Sequence, residues 1–175
     1  MRPAVRRAYS NSHFDAEIAA FLRHAQPDAV LDIGAGAGKY GRMLREVSPR
    51  THLTALEPDS EYIEQFGLRE IYDSVLVGDV ESLMRDVDTD HDVIILGDVI
   101  EHLRKSAGID LLNFLVYRSR IILIVFPLRY RQGSSNGHIQ EAHISVWGKS
   151  DFAWCDAVCQ ERDGMMLVRI QGFID

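Results

Sequence analysis

Cysteine is scarce in this chain: Cys155 and Cys159 are the only two in 175 residues. Two are too few for a disulfide framework, and no zinc-type CxxC pair accompanies them. Long hydrophobic runs are missing as well. No apolar stretch approaches the roughly 20 residues that a bilayer-spanning helix needs, and the charged N-terminus lacks the apolar core of a secretory signal. These absences argue against a stapled secreted domain and against membrane insertion, and they make the cytoplasm the expected compartment, with no membrane partner. An excess of positive charge is absent too. The formal net charge is −7, and the basic residues gather only in short groups, Arg2, Arg6 and Arg7 at the start and Arg129 and Arg131 later. Such a surface repels a polyanion, so duplex nucleic acid is not an expected partner.

What is present is an ordinary globular composition, 46% hydrophobic and 26% charged. The length suits one domain over residues 1–175, with about 70% of the unfolded surface buried on folding. No repeat, linker or low-complexity segment interrupts it. Five short apolar runs rich in branched residues recur at 29–33 (AVLDI), 52–57 (HLTALE), 74–79 (SVLVGD), 92–98 (DVIILGD) and 120–126 (RIILIVF). Each is followed by a turn signal and a more polar helical stretch, which is the alternation of a parallel α/β sheet. VIIL and IILIVF do not alternate, so these strands should be central and covered by helices on both faces. FDAEIAAFLRHA places Phe14, Ile18, Phe21 and Leu22 on one helical face ahead of the first strand. Helices are expected again at GKYGRMLREV, at DSEYIEQF with Asp59 or Ser60 as its cap, and at GIDLLNFLVYRS. Near the C-terminus two strand-like runs flank Asp163 and Gly164, a pair suited to a type I′ hairpin. The expected fold is therefore a three-layer, seven-stranded, mostly parallel α/β sheet closed at one edge by an antiparallel C-terminal hairpin.

The string VLDIGAGAGKYG puts Gly34, Gly36 and Gly38 between the first strand and its helix, at a carboxyl edge where ligands of open α/β sheets bind. A P-loop needs GxxxxGK followed by Ser or Thr, whereas Tyr40 follows Lys39 and Ile33 stands where the first glycine belongs. A dinucleotide fingerprint GxGxxG needs glycine in place of Lys39, and the chain leaves no room for a separate substrate domain after it. The string LDIGAGAGKYG instead resembles motif I of the class I S-adenosylmethionine-dependent methyltransferases, an acidic residue followed after a short gap by GxGxG. The resemblance continues in order along the chain. Glu57 ends the second strand, Asp79 and Val80 follow the third in VLVGDVES, and GDVIEHL at 97–103 is similar to the DVIEHL string of small-molecule methyltransferases.

The resemblance implies a Rossmann-like fold and S-adenosyl-L-methionine as cofactor, with S-adenosyl-L-homocysteine as product. It implies cofactor contacts from Asp32, Gly34, Ala35, Gly36, Gly38 and Tyr40 in and beside the first loop. Glu57 and Pro58 would bind the ribose, and Gly78, Asp79 and Val80 the adenine. Gly97, Asp98 and Val99 would border the methionine part. Two of these acids have other readings: Asp32 as a satisfied structural acid in a buried strand, and Asp79 as a helix cap.

Methyl transfer is an in-line displacement governed by positioning, and a base helps when the acceptor is a hydroxyl. Candidate bases are His102, and His138 and His143 in the loop NGHIQEAHISVW; a backbone-satisfied ring and loop packing are the competing roles. His138, Glu141 and His143 offer metal-ligand chemistry without a recognised spacing, so no metal is assigned. Arg129, Tyr130 and Arg131 could hold an acceptor's carboxylate or phosphate, or be solvated. Tyr9 and Phe14 could contribute to an N-terminal lid, and Trp147 is assigned to packing. The expected activity is methyl transfer to a small-molecule acceptor, oxygen favoured, by a monomer or homodimer. The alternatives are a non-catalytic cofactor-binding module and a nicotinamide-dinucleotide-binding protein.

Overall fold

A computed structural model describes residues 11–86, 90–129, 133 and 142–174. Seven strands form one sheet in the order β3-β2-β1-β4-β5-β7-β6. They are β1 (Ala29–Ile33), β2 (His52–Glu57), β3 (Ser74–Val77), β4 (His91–Gly97), β5 (Ser119–Pro127), β6 (Ala157–Arg162) and β7 (Met165–Gln171). The first five are parallel, whereas β7 runs antiparallel to both β5 and β6. The helices are α1 (Asp15–Ala25), α2 (Lys39–Val47), α3 (Ser60–Gln65), α4 (Leu68–Ile71), α5 (Val80–Asp86) and α6 (Lys105–Leu115).

Successive residues of a strand point to opposite faces, and the core divides accordingly. Leu31, Ile33, Ile94, Leu96, Ile122 and Ile124 pack with α5 and α6 on one face. Val30, Leu53, Ala55, Val93, Ile95 and Leu123 pack with α1 to α4 on the other. The unbroken apolar runs of β4 and β5 are thus covered twice, as their composition requires. The hairpin between β6 and β7 turns on Asp163 and Gly164, with φ of 49° and 79°, the doubly left-handed geometry of a type I′ turn. Asp59 caps α3 by accepting from the Glu61 N–H at 2.8 Å. Phe14, expected in a lid, is instead 1% exposed in the core beneath α1, because the apolar face of that helix needs it as an anchor. Tyr9 lies outside the described residues, as do Arg2, Arg6 and Arg7.

Candidate active site

The parallel strands end side by side, and every loop that leaves them opens on one cavity of about 1740 Å³. A drug-sized ligand occupies a pocket of roughly 300–1000 Å³, so this volume accommodates a nucleoside and a second molecule. Its floor is the turn after β1. Gly34 has φ +70°, and a Cβ there would lie 2.6 Å from Val99 Cγ2, so both the backbone and its neighbour exclude a side chain. The N–H groups of Gly34 and Ala35 donate to the Leu56 carbonyl at 2.8 and 3.3 Å. That of Gly36 donates to Glu57 Oε2 at 2.8 Å. The other oxygen, Glu57 Oε1, accepts from the Asp59 N–H at 2.9 Å. A carboxylate at the end of β2, 4% exposed, therefore clamps the glycine loop to its own strand and lines the cavity with Pro58.

Asp79 sits at the next strand end, where its Oδ1 accepts from the Ser82 N–H at 2.9 Å. This bond holds the carboxyl below its ordinary range. Asp79 thus caps α5 while lining the cavity beside Gly78 and Val80. Asp98, after β4, has the left-handed φ of 54°, a conformation costly for a non-glycine residue and most often kept where function demands it. Its Oδ2 accepts from the Asn11 N–H at 2.9 Å, which brings the segment before α1 to the cavity rim. Gly97, Asp98 and Val99 all line the cavity.

Four residues expected at the cofactor do not line it. Asp32 shares the face of Val30 by strand alternation, and its Oδ2 accepts from the Tyr72 hydroxyl at 2.5 Å. Burial is the main reason its carboxyl is pushed up to about 7, so the neutral form is favoured below that pH, and the group sits inside the α-helical layer, away from the cavity. Ala35 is part of the core on the same face. Gly38 begins α2 against Ile71 and Leu68. The Tyr40 ring lies directly behind Gly97, where a Cβ would be 2.2 Å from its Cε2; it backs the cavity wall rather than facing a ligand.

The third wall joins segments some 40 residues apart. After β4, residues 100–102 form a single 3₁₀ turn, and the stretch 142–147 is strapped across it. The Ile144 and Ser145 N–H groups donate to the Glu101 carbonyl at 2.9 and 3.1 Å. Trp147 Nε1 donates to the Ile100 carbonyl at 3.0 Å. His102 Nδ1 donates to the Ala142 carbonyl at 3.2 Å. A carbonyl only accepts, so in the neutral ring Nε2 carries the lone pair. The strap brings His143 edge to face with His102, ring centres 4.8 Å apart, and sets His143 Nε2 3.9 Å from Glu101 Oε1. All three residues line the cavity. His138 and Glu141 lie outside the described residues, as do Tyr130 and Arg131, whereas Arg129 is at the cavity edge. Trp147 is buried and packs on Gly108 of α6, as its size suggested.

Sequence reasoning missed Glu101. It is 2% exposed, neither carboxylate oxygen has a hydrogen-bond partner among the described residues, and burial together with the nearby charge of Asp98 pushes its carboxyl up to about 8. The available signal was its place between Ile100 and His102 in the DVIEHL string, an acid inside an otherwise apolar turn. With Glu57, Asp79 and Asp98, the cavity wall presents carboxylates at successive strand ends. A wall of that kind suits a ligand bearing positive charge and hydroxyl groups.

No protein-family model and no curated protein matches the sequence. Solved structures do match by fold. An O-methyltransferase family protein from Burkholderia thailandensis superposes with a TM-score of 0.68 at 11% identity, over 92% of this chain and 56% of that one. The plantazolicin methyltransferase BamL, solved with S-adenosylhomocysteine and a triazolic desmethylPZN analog, gives 0.69 at 15% identity over 93% and 85%. The methyltransferase domain of a bacterial Hen1 gives 0.66 at 16% identity over 92% and 98%. This chain thus spans about half the length of the first and nearly all of the last. At these identities the likeness is one of architecture, and the chain carries the Rossmann-like fold shared by these methyltransferases.

Proposed function

We propose that the chain binds S-adenosylmethionine in the cavity at the carboxyl edge and transfers its methyl group to an oxygen of a small-molecule acceptor. The observation that carries this reading is Glu57: a buried carboxylate, bonded to the Gly36 N–H and facing the cavity, where a ribose would offer two hydroxyl donors. The residues present fit the cofactor. Gly34 and Gly36 let the backbone approach it without a Cβ, and Asp79 stands where an exocyclic amine can donate. Asp98 faces the same space as an anion for the ammonium of the amino-acid tail. When bound, the cofactor supplies an electrophilic methyl carbon on a sulfonium. The chain supplies placement: the wall of Val99, Leu103 and Trp147 excludes water from one side, and the His102–His143 pair stands where an acceptor hydroxyl would lose its proton. BamL and DhpI, both solved with S-adenosylhomocysteine and matched at TM-scores of 0.69 and 0.68, support the cofactor assignment.

The acidic balance of −7 disfavours a duplex nucleic acid acceptor, and no helix among the described residues is long and apolar enough to cross a membrane. The test is a methyl-release assay with labelled cofactor against pools of hydroxyl-bearing acceptors. Turnover on one pool is expected, and in His102→Ala and His143→Ala turnover should fall by about 10²- to 10⁴-fold with cofactor affinity nearly intact. Cofactor binding without turnover on any pool would favour the non-catalytic module.

A further inference from the structure

The cluster of Glu101, His102 and His143 holds more chemistry than a general base requires. Each offers one ligand atom, and the three atoms lie within 4.8 Å of one another. Glu101 is the unusual member. Its carboxyl group is 2% exposed, and neither oxygen has a hydrogen-bond partner among the described residues; ionising it there is costly unless something positive is placed against it, as a bound cation would be. No lysine or arginine is paired with it among the described residues. Its closest cationic candidate is His143 Nε2 at 3.9 Å, beyond hydrogen-bond reach.

We infer that Glu101, His102 and His143 bind a single divalent transition-metal ion, open on the cavity side to an oxygen of the acceptor. Two imidazoles and one carboxylate suit Mn²⁺, Fe²⁺, Co²⁺ or Zn²⁺ and poorly suit Mg²⁺, which prefers oxygen ligands alone. Bond lengths of about 2.1 Å place ligand atoms roughly 3.3 Å apart around a tetrahedral ion. The donor atoms lie within 4.8 Å of one another, so binding would draw them together by up to about 1.5 Å through side-chain rotation. The outer shell is already built. His102 Nδ1 donates to the Ala142 carbonyl, the bond that directs the opposite nitrogen to a metal, and the strap bonds from Ile144 and Ser145 to the Glu101 carbonyl fix His143 opposite the carboxylate. Three protein ligands leave at least one position open. With metal bound, the two imidazoles act as ligands in place of the general-base role: an acceptor hydroxyl held at the open position loses its proton to water, and its oxygen forms the new bond to the methyl carbon as the carbon–sulfur bond breaks, sulfur leaving as a neutral thioether.

The role at the acceptor rests on the methyl-transfer reading; metal binding does not. The test is calorimetry of the EDTA-treated full chain with Mn²⁺, Co²⁺, Zn²⁺ and Mg²⁺ in turn, alongside separate titration with S-adenosylhomocysteine. One equivalent of a transition metal is expected to bind and Mg²⁺ to bind far more weakly. Glu101→Gln and His143→Gln should weaken metal affinity by at least about tenfold, while His24→Gln, on the exposed end of α1, leaves it unchanged. Should the site variants fail to fold, the absorption spectrum of the Co²⁺-loaded unmutated protein decides: intense visible bands of a four- or five-coordinate ion support the site, and the pale spectrum of the hydrated ion overturns it. Absence of metal binding, or binding indifferent to Glu101→Gln and His143→Gln, also overturns it. Metal binding in a protein that ignores S-adenosylhomocysteine would leave the metal site standing and remove the transferase reading.

Discussion

Asp32 and Glu57 are acids at neighbouring strand ends with opposite assignments, and the difference follows from what surrounds each. Glu57 accepts two backbone N–H bonds at the cavity, which favours the charged form. Asp32 is buried, with one oxygen on Tyr72 and the other without a partner among the described residues, and its burial favours the neutral form. A folded-state value of about 7, raised above the unfolded value, makes Asp32's contribution to stability complete below about pH 4 and lost progressively as pH rises toward 7. Asp32→Asn mimics the neutral acid. Its stability relative to the native chain should therefore improve across pH 4–7 by at most about 4 kcal/mol and then level off. Denaturant midpoints at four pH values measure this, and a difference that does not change with pH would show that Asp32 is ionised in the fold. The family pattern that singled out Asp32 was informative about the loop, but the face on which that side chain lies is set by strand alternation.

At the scale of elements, the strands were legible because each is a short run rich in branched apolar residues, and those of β4 and β5 are unbroken over VIIL and IILIVF, which only a doubly covered sheet can bury. The Asp163–Gly164 turn was equally plain, since its backbone demands those two residues. The short helix α4 was not anticipated, because four residues are too few to show a period in sequence; α5 was legible only as the polar stretch that Asp79 could cap. The strap 142–147 was illegible for another reason: its place depends on hydrogen bonds to a turn 40 residues earlier. Those bonds bury Glu101 and bring His143 to His102, so the candidate bases were visible while the acid between them was not. Trp147→Phe keeps the ring packing and removes the Nε1 bonds to Ile100 and Ser145. It should cost about 1 kcal/mol and lower Tm by about 2–4 °C, with hydrogen exchange accelerating at Ile144 and Ser145 before the sheet is affected. Unchanged protection there would mean that the strap is held by other contacts.

For the molecule as a whole, one sheet edge gathers the glycine loop, the three acids Glu57, Asp79 and Asp98, and the Glu101–His102–His143 cluster around a single cavity. Convergence of independent strand ends on one space is what gives the motifs meaning together, since each alone has a structural role as a cap, a turn or a packed core residue. The proposed activity depends on that cavity taking a nucleoside through Glu57. The decisive measurement is the calorimetric Kd of S-adenosylhomocysteine for the native chain and for Glu57→Ala. Binding at one site, weakened by about 1–3 kcal/mol in the variant because the ribose donors lose their acceptor, is the predicted result; no binding, or equal affinity for both proteins, would contradict it.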